Sequence, residues 1–171
     1  LKGNGSEDLM NVTYQLGSKI LIQSKITNNI KESEDLQKSL INDGKALEKF
    51  EAMVEIQEGT LEKLESTSRP HYEEYILSNS NGVITHLDTE QIGWALVELG
   101  CGRKNSIGSL DYTAGVQFLK KIGDKVHKNE PIYRLFNSNI KLLNSAKKKL
   151  NKTFEIKDSL KKDFQLVLGE F

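Results

Sequence analysis

The sequence predicts an α+β fold, with helices over residues 1–66 and a strand-bearing domain over residues 67–171. Three observations carry that prediction. Apolar residues recur at helical spacing through the first 59 positions. Composition then turns polar over residues 60–69 and runs into Pro70, one of only 2 prolines. Beyond it come short alternating segments separated by Asn, Gly and Pro turns, the pattern of half-buried strands.

The first helix follows Gly3 and Gly5. Ser6 is a good N-cap, and Glu7 and Asp8 suit the positive end of the helix dipole. Leu9, Val12, Leu16 and Ile20 mark one face, widened by Met10, Tyr14 and Leu21. Gly17 in mid-helix costs about 1 kcal/mol relative to Ala, so it marks a close packing contact. A second helix is expected from Ser33, with Glu34 and Asp35 in its first turn, Leu36, Leu40 and Ile41 apolar, and Gly44 as the stop. A third carries Leu47, Phe50, Met53 and Val54 and closes near Gly59. All three are one-sided, and the segment supplies nothing obvious for their apolar faces to lie against. Residue 1 is Leu and the helical pattern starts almost at once, so a segment of a longer chain is expected.

Residues 73–77 read as a strand, Asn79, Ser80, Asn81 and Gly82 as a hairpin turn, and residues 83–87 as the returning strand. Asp88 caps a helix through Ile92, Ala95, Leu96 and Leu99 that Gly100 stops. A glycine-spaced loop, Gly100-Cys101-Gly102-Arg103, leads on to Ile107, Gly108 and Asp111. Strands are expected over 116–119 and 132–136, with tight turns at 122–126 and at Asn129-Glu130-Pro131. Asn139 caps a basic amphipathic helix with Leu142, Leu143, Ala146 and Leu150. Residues 153–157 and 164–168 read as short closing strands. No internal repeat is present, and the Lys147-Lys148-Lys149 run reads as the solvated end of a helix.

Composition narrows function. The 171 residues carry 24 Lys+Arg against 24 Asp+Glu, so the charge surplus that nucleic acid or an anionic membrane requires is missing. No apolar run approaches a membrane span and the front carries no signal-peptide pattern. A single cysteine fits a reducing compartment. A soluble, cytoplasmic protein is expected.

Candidate chemistry is sparse. His71, His86 and His127 share no ligand-like spacing with one another or with Cys101, so ordinary histidines are the better reading than a metal site. Cys101 between two glycines reads as a small residue filling a tight loop, because no histidine is placed to activate it. Gly100-x-Gly102-Arg103 looks like the start of a phosphate-cradling loop, but its glycines follow a helix C-terminus, where the dipole is negative. Helix stop plus turn is the default, with Arg103 and Lys104 able to lend charge to a site completed elsewhere. Glu73 with Glu74, and Asp88 with Glu90, are paired carboxylates, and capping explains Asp88 without catalysis. The residues themselves name no general acid, base or nucleophile.

A wider pattern does emerge. The run from Gly82 to Gly93 (GVITHLDTEQIG), then Leu99 to Arg103 (LGCGR), Asp111 with Gly115, Lys121 to Val126 (KIGDKV) and Glu130-Pro131 resembles the C-terminal domain of the thymidine and pyrimidine-nucleoside phosphorylase family. The helical part fits the stretch before that domain at residues 1–9, Leu16-Gly17, residues 44–50 and Met53-Val54. The likeness runs from Leu1 to about Leu150. Departures fall in turns: Cys101 stands where the family usually has Ala, Asn129 where it has Gly, and Gln57-Glu58-Gly59 where it has Gln-Gly-Gly.

The resemblance implies a helical remnant of an α/β domain followed by a hammerhead-type, barrel-sandwich-hybrid domain, also found in biotinyl and lipoyl carriers. It implies a homodimeric pentosyltransferase of nucleoside salvage, splitting a pyrimidine nucleoside with inorganic phosphate as co-substrate and without a cofactor. The family's phosphate- and base-binding residues and most of its dimer contacts lie upstream. Catalytic, cofactor-binding and metal residues are therefore all expected to be none in this segment, which is expected to be an inactive scaffold. Two alternatives remain. A nucleoside-monophosphate phosphorylase would share this C-terminal pattern. A carrier module would need a lysine at an exposed hairpin tip, and the 79–82 turn has none.

Overall fold

The computed structural model describes residues 1–62, 69–103, 110–160, 167 and 169. The chain divides into two compact units, one of N-terminal helices and one holding the strands and the last two helices. The α+β prediction holds. The strand expected over 164–168, the Ile107-Gly108 stretch, Lys104 and most of the polar 60–69 segment lie outside the described residues.

The first unit holds α1 (Glu7–Gln23), α2 (Ile30–Asn42) and α3 (Lys45–Ile56). Ser6 occupies the N-cap of α1 but makes no side-chain capping bond. Helix α2 starts at Ile30, three residues before the expected Ser33. Its cap is Asn29, whose side chain accepts the Glu32 N–H at 2.9 Å, while Glu32 reaches back to the Asn28 N–H at 2.9 Å. Ser33 is instead fully buried, bonded to Thr27 Oγ1 at 2.5 Å. Gly17 does mark a close contact: a Cβ there would strike the Gln37 side chain. The Gln37 amide donates to the Tyr14 carbonyl and the Ser18 hydroxyl, both at 3.1 Å.

Helix α1 turns Ser18 inward, alongside the half-buried Met10, Tyr14 and Leu21. Leu9, Leu16 and Ile20 are 60, 63 and 62% exposed, whereas Ser18 is buried. At about 100° per residue Ser18 lies opposite Leu9 on the wheel.

Each of these three helices is followed by a residue with positive φ. Gly44 (φ 75) closes α2 and its carbonyl accepts the first bond of α3 from Glu48 at 2.9 Å. Helices α1 and α3 close on Lys25 (φ 58) and Glu58 (φ 62). In α3 the Gly59 N–H donates to Val54 at 3.0 Å and Glu58 to Glu55 at 2.9 Å, the paired bonds of a Schellman motif.

The second unit comprises β1 (Tyr72–Leu77), β2 (Gly82–Leu87), α4 (Thr89–Leu99), β3 (Gly115–Phe118), β4 (Lys125–Val126), β5 (Pro131–Asn137), α5 (Ile140–Leu150) and β6 (Phe154–Lys157). Its described strands form two three-stranded antiparallel sheets, β1-β5-β3 and β4-β2-β6, with no closed barrel. The expected 73–87 hairpin is therefore absent. Strand β1 pairs with β5, placing Tyr75 opposite Arg134, and β2 pairs with β4 and β6. The turn between them is held by a neighbouring loop: the Ser78 N–H donates to Glu130 at 2.8 Å and the Lys128 N–H to Asn81 Oδ1 at 2.8 Å.

One core joins both sheets and both helices. It gathers Ile76, Ile84, Val126, Ile132, Tyr133 and Leu135 from the strands, and Ile92, Ala95, Leu99, Leu143, Ala146 and Leu150 from α4 and α5. Tyr133 stands at its centre, edge-on to Phe118 of one sheet at 5.2 Å and to Phe154 of the other at 6.0 Å. Burial pushes its phenol pKa up, and the Thr153 hydroxyl at 3.4 Å faces its oxygen. Among the described residues no helix is long and apolar enough to cross a membrane.

Candidate functional site

The motif residues converge at the C-terminal end of α4. Gly100 adopts φ 99, a left-handed conformation that glycine takes without the Cβ clash of other residues. The turn closes with the Cys101 N–H donating to Leu96 at 3.0 Å. The Gly100 carbonyl then accepts the Asp111 N–H at 3.0 Å, stitching the returning chain to the helix end. Asn137, fully buried at the end of β5, donates its amide to the Leu99 carbonyl and accepts the Asn139 N–H.

Asp111 ties this knot. Its Oδ1 accepts the Thr113 N–H at 2.8 Å and the Thr113 hydroxyl at 2.6 Å, and its Oδ2 faces the Ser138 N–H at 3.3 Å. Thr113 and Ser138 hydroxyls are 2.7 Å apart. Desolvation pushes the carboxyl pKa up, but the hydrogen bonds from Thr113 and Ser138 and the nearby His71 together hold it below its ordinary value. Both carboxylate oxygens accept structural donors. The arrangement locks a helix end to a strand end rather than presenting a free acid or base.

Cys101 is exposed at this turn. Partial desolvation of the sulfur and the Asp111 carboxylate push its thiol pKa up, the opposite of what a reactive thiolate needs. His71 precedes β1, His86 lies on β2 and His127 follows β4. Among the described residues no three His, Cys, Asp or Glu side chains are grouped to hold a metal ion. The paired carboxylates also separate. Glu73 binds Arg134 through both oxygens, at 2.5 and 3.0 Å, and that guanidinium lowers its pKa. Glu74 takes Lys147 at 2.8 Å. Asp88 caps α4 by accepting the Gln91 N–H at 3.0 Å.

Sequence reasoning missed Thr113, Asn137 and Ser138. The available signal was Asp111-x-Thr113, an Asx-turn pattern, with three small polar residues at 137–139. It also passed over Trp94, the single tryptophan, which is 57% exposed on α4. Trp94 lines an open depression of about 570 Å³ together with Gln91, Val97, Glu98, Arg103 and Lys149.

Comparison with known proteins follows the same residues. A family model described as the pyrimidine nucleoside phosphorylase C-terminal domain matches residues 83–157. The pyrimidine-nucleoside phosphorylase of Bacillus subtilis (strain 168) is 32% identical over 139 residues, covering 80% of this chain and 32% of that protein. Its namesake from Staphylococcus haemolyticus (strain JCSC1435) is 31% identical over 159 residues, covering 91% and 36%. That from Staphylococcus aureus (strain USA300) is 31% identical over 161 residues, covering 92% and 37%. The chain spans about a third of the length of these relatives. Residues 83–157 thus match the C-terminal domain of the pyrimidine-nucleoside phosphorylase family, and the chain is similar to these phosphorylases over most of its own length.

Proposed function

We propose that these residues form the C-terminal scaffold of a pyrimidine-nucleoside phosphorylase whose reacting groups lie elsewhere in a longer protein. In that reaction the N-glycosidic bond at C1′ breaks, a phosphate oxygen bonds C1′, and the base leaves with a proton. The products are a free base and a (deoxy)ribose 1-phosphate, and no cofactor is needed. Homodimeric, cytoplasmic operation in nucleoside salvage is part of the same reading, as is the boundary between residues 66 and 67.

The observation that carries the reading is the knot at the end of α4. Of the residues that carry the resemblance, Gly100, Asp111 and Gly115 are placed there by hydrogen bonding and close packing. Their role is geometric. The outward apolar stripe of α1 supports the same view, since Leu9, Leu16 and Ile20, each still about 60% exposed, would gain about 1–2 kcal/mol apiece on full burial.

The test is intact mass spectrometry followed by phosphorolysis of uridine and thymidine, read by ultraviolet absorbance. The 171-residue chain alone is expected to release no base, and a longer natural protein containing it to release base only with phosphate. Base release by the 171 residues alone would refute the scaffold role. A longer protein inert towards both nucleosides would refute the phosphorylase reading.

A further inference from the structure

We propose that the depression beside Trp94 binds a small ligand that combines a flat heteroaromatic ring with an anionic group. The ring stacks on the indole and the anion meets the Arg103 guanidinium. Three features of the surface support this.

The first is how Arg103 arrives there. A Cβ at Gly102 would lie 2.8 Å from a Val97 methyl, so only glycine lets the chain pass this close over α4 after its left-handed turn. The Gly100-Cys101-Gly102 sequence thereby delivers Arg103 to the same depression as Trp94. A glycine-spaced turn that merely ended a helix would need only Gly100.

Charge is the second feature, and it decides between an anion and a cation. An exposed indole attracts either a flat ring or a cation. A cation would need a carboxylate, and the only one among the described lining residues is Glu98, which is held by Lys149 at 2.7 Å and by the Ser145 hydroxyl at 3.3 Å. Among the described lining residues Arg103 and Lys149 against Glu98 leave one positive charge, and it sits on Arg103. Guanidinium is the group best shaped to bind a carboxylate or phosphate in two-point fashion.

The third is size and edge chemistry. A volume of about 570 Å³ lies within the range of small-ligand sites. Gln91, one turn before Trp94 on α4, offers an amide donor and acceptor to the edge of a stacked ring. The proposal rests on the phosphorylase reading only in the choice of a uracil ring as probe.

Because Trp94 is the only tryptophan, fluorescence of the 171-residue chain reports on this surface alone. The titrants are uridine monophosphate, uridine, orotate and inorganic phosphate. Saturable quenching is expected from an anionic ring compound, with affinity about tenfold or more above that of uridine, and Arg103→Ala removes that margin. Orotate or the monophosphate each satisfies the expectation, and their ratio identifies the preferred anion. Calorimetry on Trp94→Phe, where the reporter is gone, should show weakened binding of the same compound. The proposal fails if no ring compound quenches saturably, if Arg103→Ala keeps the margin over uridine, or if phosphate alone binds as tightly. Such a failure leaves the phosphorolysis result of a longer protein untouched, so the two readings stand or fall separately.

Discussion

Glu58→Gly should stabilise the chain, because the backbone at this position is already shaped for glycine. Glu58 is the C′ residue of α3, with φ 62, and both bonds of the Schellman motif form around it. A left-handed conformation costs an ordinary L-residue about 1–2 kcal/mol. Glycine removes that cost but returns about 0.5–1 kcal/mol through its freer unfolded chain. The net gain is about 0.5–1 kcal/mol, or about 2–8 °C in Tm for a unit of this size. The Glu58 side chain is exposed, so Glu58→Ala provides the control: it keeps the strained φ and should fall within about 0.5 kcal/mol of the parent. Urea unfolding followed by far-ultraviolet circular dichroism reads the difference as a shift in midpoint at constant slope. Lys25→Gly, at φ 58 and in the same motif at the end of α1, should gain as much. Asn129→Gly, at φ 67, should gain less because asparagine tolerates this region. If Glu58→Gly is no more stable than Glu58→Ala, strain at this turn is not being stored and the reasoning is wrong.

Three further outcomes test the second unit. Asn137→Ala strips the buried Leu99 carbonyl of its partner and should cost about 1–3 kcal/mol in urea unfolding, since an orphaned buried group carries its own desolvation penalty, whereas the exposed Asn139 N–H can turn to water. Gly115→Ala puts a Cβ 2.5 Å from the Phe136 ring and should cost about 1–3 kcal/mol, with Phe136→Leu in the same chain recovering part of it. Asp111 has a folded pKa below its ordinary 3.8, so its contribution is complete above that value and fades as pH falls through it towards the lower folded value. The urea midpoint should therefore drop more steeply on acidification in the parent chain than in Asp111→Asn, and equal slopes would contradict the hydrogen-bonded carboxylate.

The candidate site was half legible in the sequence. Gly100 as a helix stop and Asp88 and Asn139 as caps are local signals, complete within four residues, and the structure repeats them. The departures at Glu58 and Asn129 were legible too: where the resemblance expects glycine, the chain puts other residues at positive φ. What could not be read was the Asp111–Asn137 knot. Its members stand up to 38 positions apart, as with Asn137 and Leu99, and nothing in a small polar residue announces which distant carbonyl it will serve. The start of α2 failed for a different reason. Ser33-Glu34-Asp35 and Asn29-x-x-Glu32 are both valid start signals, and the former is the denser. The chain uses the latter because Ser33 is needed inside, bonded to Thr27.

The missing hairpin shows where local chemistry stops deciding. Asn, Ser and Gly at 79–82 specify a change of direction, and the chain bends at 79–81. Which strand each arm then pairs with is settled by side-chain burial. Ile76 of β1 and Ile84 of β2 must both enter one core, and each lies fully buried there. Residues side by side in one sheet can share a face, but here Tyr133 reaches ring contacts in both sheets, and its aromatic bulk fills the space between them. Pairing β1 with β5 and β2 with β6 brings two sheets to that ring and leaves α4 and α5 to contribute Leu99, Leu143 and Leu150 to the same core. The β1–β5 register places Arg134 opposite Tyr75 and within reach of both Glu73 and Gln117. The segment is therefore a corner between two sheets, held to the neighbouring 128–130 loop by the Ser78 backbone and the Asn81 side chain.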